Sequence, residues 1–131
     1  MPRLRISEAA ELLGVSDDTV RRWVDSGRLE AADDDAGRMT IEGTALAGVA
    51  QEVARPASVP AVGSTSARNQ MRGLVTRVLR DTVMAQVDVQ CGPFRMVSLM
   101  SREAVDELGL EPGSVAVVSI KSTNVVIGTP A

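Results

Sequence analysis

Apolar residues recur at a helical period before residue 55 and at a period of two after residue 64, and the ten residues between carry two prolines, a glycine and no apolar periodicity. No regular element spans such a change of period. It predicts two small domains, 1–54 and 65–131, joined by a short extended linker at 55–64. The halves also differ in charge: 1–54 holds six Arg against eleven acids, a net −5, whereas 65–131 holds seven basic residues against six acids, a net +1.

The first half reads as helical. Ser7 is the expected N-cap of a helix with Ala10, Leu12 and Leu13 on its apolar face, stopped by Gly14. Ser16 caps a second helix with Asp17 and Asp18 in its first turn and Val20, Trp23 and Val24 on one face, ending at Ser26 and Gly27. Residues 29–41 read as a hairpin or wing around Asp35, Ala36 and Gly37, and 42–53 as a third helix. In the second half, Val83, Ala85, Val87, Val89 and Cys91 alternate with polar or larger residues, the pattern of a half-buried strand. Gly92 and Pro93 turn the chain into a strand at 94–100, Ser101 caps a short helix to Leu108, and Pro112 and Gly113 turn into a strand at 115–120. With strands at 73–79 and 124–127, the half holds five strands and one helix, a set that closes most economically as a small barrel. The fold class is therefore α+β: a winged helix-turn-helix followed by a five-stranded OB-like barrel with one short helix.

Composition excludes several chemistries. The chain has no His and one Cys, so imidazole catalysis, His-ligated metals, Cys-rich zinc sites and an intramolecular disulfide are all excluded. No nucleophile–base pair can be assembled, and neither an enzyme nor a resident metal or cofactor is expected. No apolar run reaches the ~18 residues of a membrane span. The single Cys and the lack of a recognisable signal peptide favour the cytoplasm. Of fourteen basic residues thirteen are Arg, which leaves Lys121 as the one to explain.

The stretch Ile6-Ser-Glu-Ala-Ala-Glu-Leu-Leu-Gly-Val-Ser-Asp-Asp-Thr-Val-Arg-Arg-Trp-Val-Asp-Ser-Gly-Arg-Leu29 resembles the DNA-binding headpiece of the MerR and excisionase type. The resemblance implies a second helix in the major groove, with Ser16, Asp18, Thr19, Arg21 and Arg22 on or near its groove-facing side, and a wing that touches phosphate. Arg21 and Arg22 suit that role because a guanidinium forks onto guanine or grips phosphate. Trp23 shares a face with Val20 and Val24 and reads as core. The wing departs from the family pattern: it holds Glu30, Asp33, Asp34 and Asp35, leaving Arg28 and Arg38 as its positive charges. A headpiece at −5 has little long-range attraction to a polyanion, so binding is expected to need two headpieces together.

Ser66-Ala-Arg-Asn-Gln-Met-Arg-Gly73, with Leu108-Gly-Leu-Glu-Pro-Gly113 and Ile120-Lys-Ser-Thr-Asn-Val-Val126, resembles the molbindin (Mop) domain, also grouped under the TOBE name. That resemblance implies molybdate or tungstate held between subunits of a homo-oligomer. The residues suit a tetrahedral dianion, whose charge must be compensated on burial. Arg68 and Lys121 supply two positive charges, Ser66 and Ser122 hydroxyls, and the amides of Ala67, Arg68 and Ser122 further donors. Asn69 is either a direct ligand or a turn-former bonded to its own backbone. The start of the 101–108 helix offers free amides, and Ala104 stands where the family pattern often has Ser, leaving its main-chain N–H. Two functions follow as expectations: a regulator of transcription that binds DNA and senses the oxyanion, or an oligomeric molybdate store whose headpiece binds protein.

Overall fold

The computed structural model describes residues 2–55, 57–60 and 64–131. Four positions of the expected linker, Pro56 and 61–63, lie outside the described residues. The chain divides into two compact units, 1–55 and 56–131.

The first unit runs β1 (Arg3–Arg5), α1 (Ile6–Leu13), α2 (Asp17–Asp25), β2 (Ala31–Asp33), β3 (Met39–Glu42) and α3 (Gly43–Val53). Its antiparallel sheet has the order β1-β3-β2. The β2–β3 hairpin is the expected wing; β1 is an addition, pairing Leu4 with Ile41. Buried Thr40 ties the three strands, accepting from Arg3 Nε at 2.8 Å and donating to the Ala32 carbonyl at 2.8 Å. Because β1 runs to Arg5 and turns directly into α1, Ser7 is not the N-cap expected. Arg5 takes that position, and the Glu8 carboxylate accepts its N–H at 3.3 Å. Gly14 ends α1 at φ 68°, and Ser16 caps α2 by accepting the Thr19 amide at 3.1 Å. The core gathers Ile6, Ala9, Ala10, Val20, Leu29, Ile41, Leu46 and Val49, with Trp23 and Leu13 packed partly buried against it. Leu12, expected on the apolar face, is 69% exposed, because Ile6, Ala9, Ala10 and Leu13 already fill that face. Full burial of side chains such as Val20 and Ile41 stabilises the unit by about 1.5–3 kcal/mol each.

The second unit runs β4 (Asn69–Arg80), β5 (Met84–Cys91), β6 (Phe94–Ser101), α4 (Arg102–Leu108), β7 (Val115–Ile120) and a 3-10 turn at Ser122–Asn124. The four strands form one antiparallel sheet in the order β6-β5-β4-β7. It curls until strands from its opposite edges, β6 and β7, line one groove of about 150 Å³ with Met96, Ser98, Val118 and Ile120. Inside lie Val75, Ala85, Val87, Val89, Cys91 and Val105. Gly73 is required where β4 crosses β5: a Cβ there would stand 2.6 Å from the Gln90 carbonyl oxygen and 2.7 Å from Cys91 Sγ. A register shift between Val75 and Arg77 adds the curl.

The expected five-stranded barrel is a four-stranded half-barrel. Residues 124–127 form no strand among the described residues; the 3-10 turn redirects the chain, and Val126 and Ile127 stand 91% and 82% exposed. β-branched residues favour a strand, but a strand needs a partner edge, and none among the described residues takes them. β4 begins at Asn69 rather than 73 because β7 pairs with it along Asn69–Leu74.

Candidate functional site

The expected DNA-facing residues share the outer side of α2 and its approach. Ser16 Oγ lies 3.0 Å from Thr19 Oγ1, which accepts from Arg22 Nη2 at 3.1 Å. Arg21 Nη1 lies 3.7 Å from Asp18 Oδ1. The side chains of Asp18, Arg21 and Arg22 are exposed and that of Thr19 half-buried, so the helix presents two arginines, each steadied by a partner one turn earlier.

Arg28 and Arg38 are more fully engaged within the unit. Arg28 Nη2 meets Glu52 Oε2 at 2.8 Å, and its guanidinium carbon lies 5.6 Å from the Trp23 ring centre, bracing the end of α2 against α3. Arg38 Nε lies 3.4 Å from Asp34 Oδ2. Asp34 shapes the wing turn by accepting the amides of Ala36 and Arg38, each at 2.9 Å. The Arg38 amide, with that of Ala36 and the Arg38 charge, holds the Asp34 carboxyl below its ordinary range.

In the second unit the register of β4 with β7 assembles the other site. Asn69 pairs with Ile120, so Arg68 and Lys121, the residues just outside each strand, follow at the same end of the sheet. Asn69 Nδ2 donates to the Ile120 carbonyl at 3.1 Å, a cross-strand bond rather than the bond to its own backbone expected of a turn-former. It pins the two strand ends together. Thr65 organises the approach: its hydroxyl accepts the Ala67 amide at 3.1 Å and its carbonyl accepts from Arg68 Nη1 at 3.3 Å. The Ala67 amide expected to point at an anion is thus occupied. After Lys121 the 3-10 turn closes when the Asn124 amide donates to the Lys121 carbonyl at 2.9 Å. Ser66, Arg68, Lys121 and Ser122 are exposed.

Ala104 does not join them within one chain. α4 starts beside the β4–β5 turn, where the Arg102 amide donates to the Val83 carbonyl at 2.8 Å and Arg102 Nη1 to the Asp81 carbonyl at 3.1 Å. That is the opposite end of β4 from Asn69, about 36 Å along a twelve-residue strand rising ~3.3 Å per residue. The Ala104 amide, expected to be free, donates to the capping Ser101 Oγ at 3.1 Å.

Sequence reasoning missed Thr65, whose hydroxyl two residues before an amide is a recognisable turn signal. It also missed buried Asp88, on the face of β5 expected to be wet. Asp88 accepts from Gln86 Nε2 at 3.0 Å and from Arg95 Nε at 2.9 Å. The Gln86 amide and then the Arg95 guanidinium hold its carboxyl below the ordinary range despite the opposing effect of burial.

Comparison with known proteins accounts for both units. Residues 65–127 match the TOBE domain and residues 3–52 a helix-turn-helix domain. Molybdenum-pterin-binding protein 1 of Clostridium pasteurianum is 37% identical over 65 residues, 49% of this chain and 96% of that protein. A probable molybdenum-pterin-binding protein of Haemophilus influenzae is 41% identical over 64 residues, 48% of this chain and 93% of that protein. Among solved structures, the cytoplasmic molybdate-binding protein ModG with molybdate bound superposes with a TM-score of 0.51 at 37% identity, covering 53% of this chain and 50% of that one. The half-barrel, preceded in the chain by a capped helix pair, marks a chain that belongs to the TOBE family and carries a helix-turn-helix domain ahead of its TOBE domain.

Proposed function

We propose that this protein is a cytoplasmic, non-catalytic regulator that binds DNA through α2 and binds molybdate or tungstate at an interface between the half-barrels of two or more copies. The observation that supports the reading is the Asn69–Ile120 pairing at the strand ends that lead to Arg68 and Lys121, in a chain that also has a helix-turn-helix. Two positive charges match a tetrahedral dianion. Ser66, Asn69 and Ser122 stand close in sequence to add donors, and the amides of Arg68 and Ser122 complete the set. Ala104 enters only from a different copy, because its own chain holds it at the far end of β4. The binding partners named for the relatives, molybdate and molybdenum-pterin, support this ligand class.

Self-association follows from the same geometry. Among the described residues, β6 and β7 are sheet edges with unpaired outer sides, and Val125, Val126 and Ile127 are exposed apolar residues without a partner strand. A second copy supplies both needs. An oxyanion gripped between copies favours one arrangement of them and so couples to the attached headpieces.

The test is a gel-shift series with the protein's own upstream DNA over a range of salt, with and without molybdate. A shift whose midpoint moves with molybdate supports the regulator; no shift at low salt in either state overturns it. Replacing Arg21 and Arg22 together by Ala is expected to abolish the shift and leave calorimetric oxyanion binding intact. The second reading, an oligomeric molybdate store whose headpiece binds protein, draws on the −5 headpiece and on the tying of Arg28 to Glu52 and Arg38 to Asp34. It requires oxyanion binding without any shift.

A further inference from the structure

The two arginines of α2 are held by partners of different kinds. Arg22 leans on the neutral hydroxyl of Thr19, itself 3.0 Å from Ser16 Oγ, whereas Arg21 faces the Asp18 carboxylate at 3.7 Å. A hydroxyl is harmless beside DNA. A carboxylate is repelled by every phosphate and by the acceptor edges of guanine and thymine, and in the major groove only the exocyclic amines of cytosine and adenine donate to it. The helix dipole favours an acid anywhere in this first turn, so it does not by itself place one beside Arg21. Asp17 already sets a carboxylate in the same first turn, and Ser16 already caps the helix. The Asp18 side chain is 89% exposed, so it buries nothing, and it is one of the eleven acids that bring the domain to −5.

Resting on the DNA-binding reading above, we propose that Asp18 is a specificity-determining residue. In the groove it steadies the Arg21 guanidinium on the O6 and N7 of a guanine and accepts the N4 amine of a cytosine, in the same base pair or the next. The pair then recognises guanine and cytosine together. At other sequences the carboxylate meets acceptors or phosphate and weakens binding, so discrimination is gained at the expense of general affinity.

The experiment uses the full chain. Duplexes are selected from a pool with a randomised core. Binding to the selected duplex and to a mixed-sequence duplex is then measured by fluorescence anisotropy for wild type, Asp18→Asn and Asp17→Asn. Each variant removes one negative charge from the same helical turn, so both are expected to tighten binding to the mixed-sequence duplex to a similar degree. Asp18→Asn alone is expected to lower the ratio of selected to mixed-sequence affinity, by about tenfold, the scale of one good base contact. Reselection with Asp18→Asn should relax the preference at a G·C position and leave the remaining positions unchanged. Equal ratios for the two variants, or an unchanged ratio in Asp18→Asn, overturn the proposal. If wild type selects no duplex, the DNA-binding reading fails and this inference falls with it; if wild type selects a site that Asp18→Asn reads equally well, only this inference fails.

Discussion

In the helix-turn-helix unit most large apolar side chains find partners within residues 2–55, whereas the TOBE unit leaves an apolar tail and much of its sheet's apolar surface exposed. Among the described residues fourteen large hydrophobic side chains are exposed, and twelve of them lie in the second unit. The difference separates two kinds of binding surface. The first unit is closed by its own chain and offers a helix; under the function proposed above, the second is completed by another copy, and its ligand site with it. A domain of this size that leaves so much apolar surface uncovered has an interface still to form.

The largest expected effect breaks the comparison at its chemical end. Lys121→Ala or Arg68→Ala is expected to weaken molybdate binding by about 3 kcal/mol, the scale for removing one partner of a charge pair desolvated at an interface. Calorimetry checks this, and the thermal transition of the first unit should not move. Wild-type affinity in Lys121→Ala would place the anion elsewhere. Next, Gly73→Ala forces a Cβ to within 2.6 Å of the Gln90 carbonyl oxygen. It is expected to destabilise the second unit by about 2–3 kcal/mol through overpacking, leaving the first unit unaltered. Scanning calorimetry that resolves two transitions, with only one lowered, bears this out; a coupled drop of both shows that the units do not fold independently.

A smaller effect belongs to the first unit. Glu52→Gln loosens the Arg28 brace, whose ion pair is partly exposed, and is expected to cost about 0.5–1 kcal/mol in chemical denaturation. An acid titration sharpens the contrast further. Asp34 in the first unit, and Asp81 and Asp88 in the second, all have lowered carboxyl pKa values. The amides of Arg38 and then Ala36 act on Asp34, those of Met84 and Val83 on Asp81, and Gln86 followed by Arg95 on Asp88. The unfolded chain therefore binds protons first as pH falls. The stabilisation is complete above the ordinary carboxylate range near pH ~4 and is lost as pH drops through it toward the lowered values. Asp88→Asn is expected to flatten that acid limb for the second unit alone, as read by stability measured against pH.

The residues legible in the sequence are those whose structure is set locally. Gly14 at the end of α1, Ser16 at the start of α2, Ser101 at the start of α4 and the alternation through β5 are all fixed by neighbours within a turn or two. What escaped depends on distant partners. The strand Arg3–Arg5 exists only because β3 lies beside it, 37 positions later, and its turn into α1 displaced the cap from Ser7 to Arg5. Residues 124–127 carry strand propensity, but propensity does not say whether an edge is available. The candidate anion site divides in the same way. The pairing of Asn69 with Ile120 brings the segments that carry Arg68 and Lys121 to the same end of the sheet. Ala104 was grouped with them by pattern alone, and the topology of β4 separates it from them within one chain.

Isothermal titration of the full chain with molybdate, run at several protein concentrations with light scattering on the same samples, tests most directly whether the second unit binds its ligand by joining copies. The account predicts saturable binding by assemblies of two or more chains, apparent affinity that rises with protein concentration, and scattering mass that rises with molybdate. Stoichiometric binding to a chain that stays monomeric throughout would contradict it.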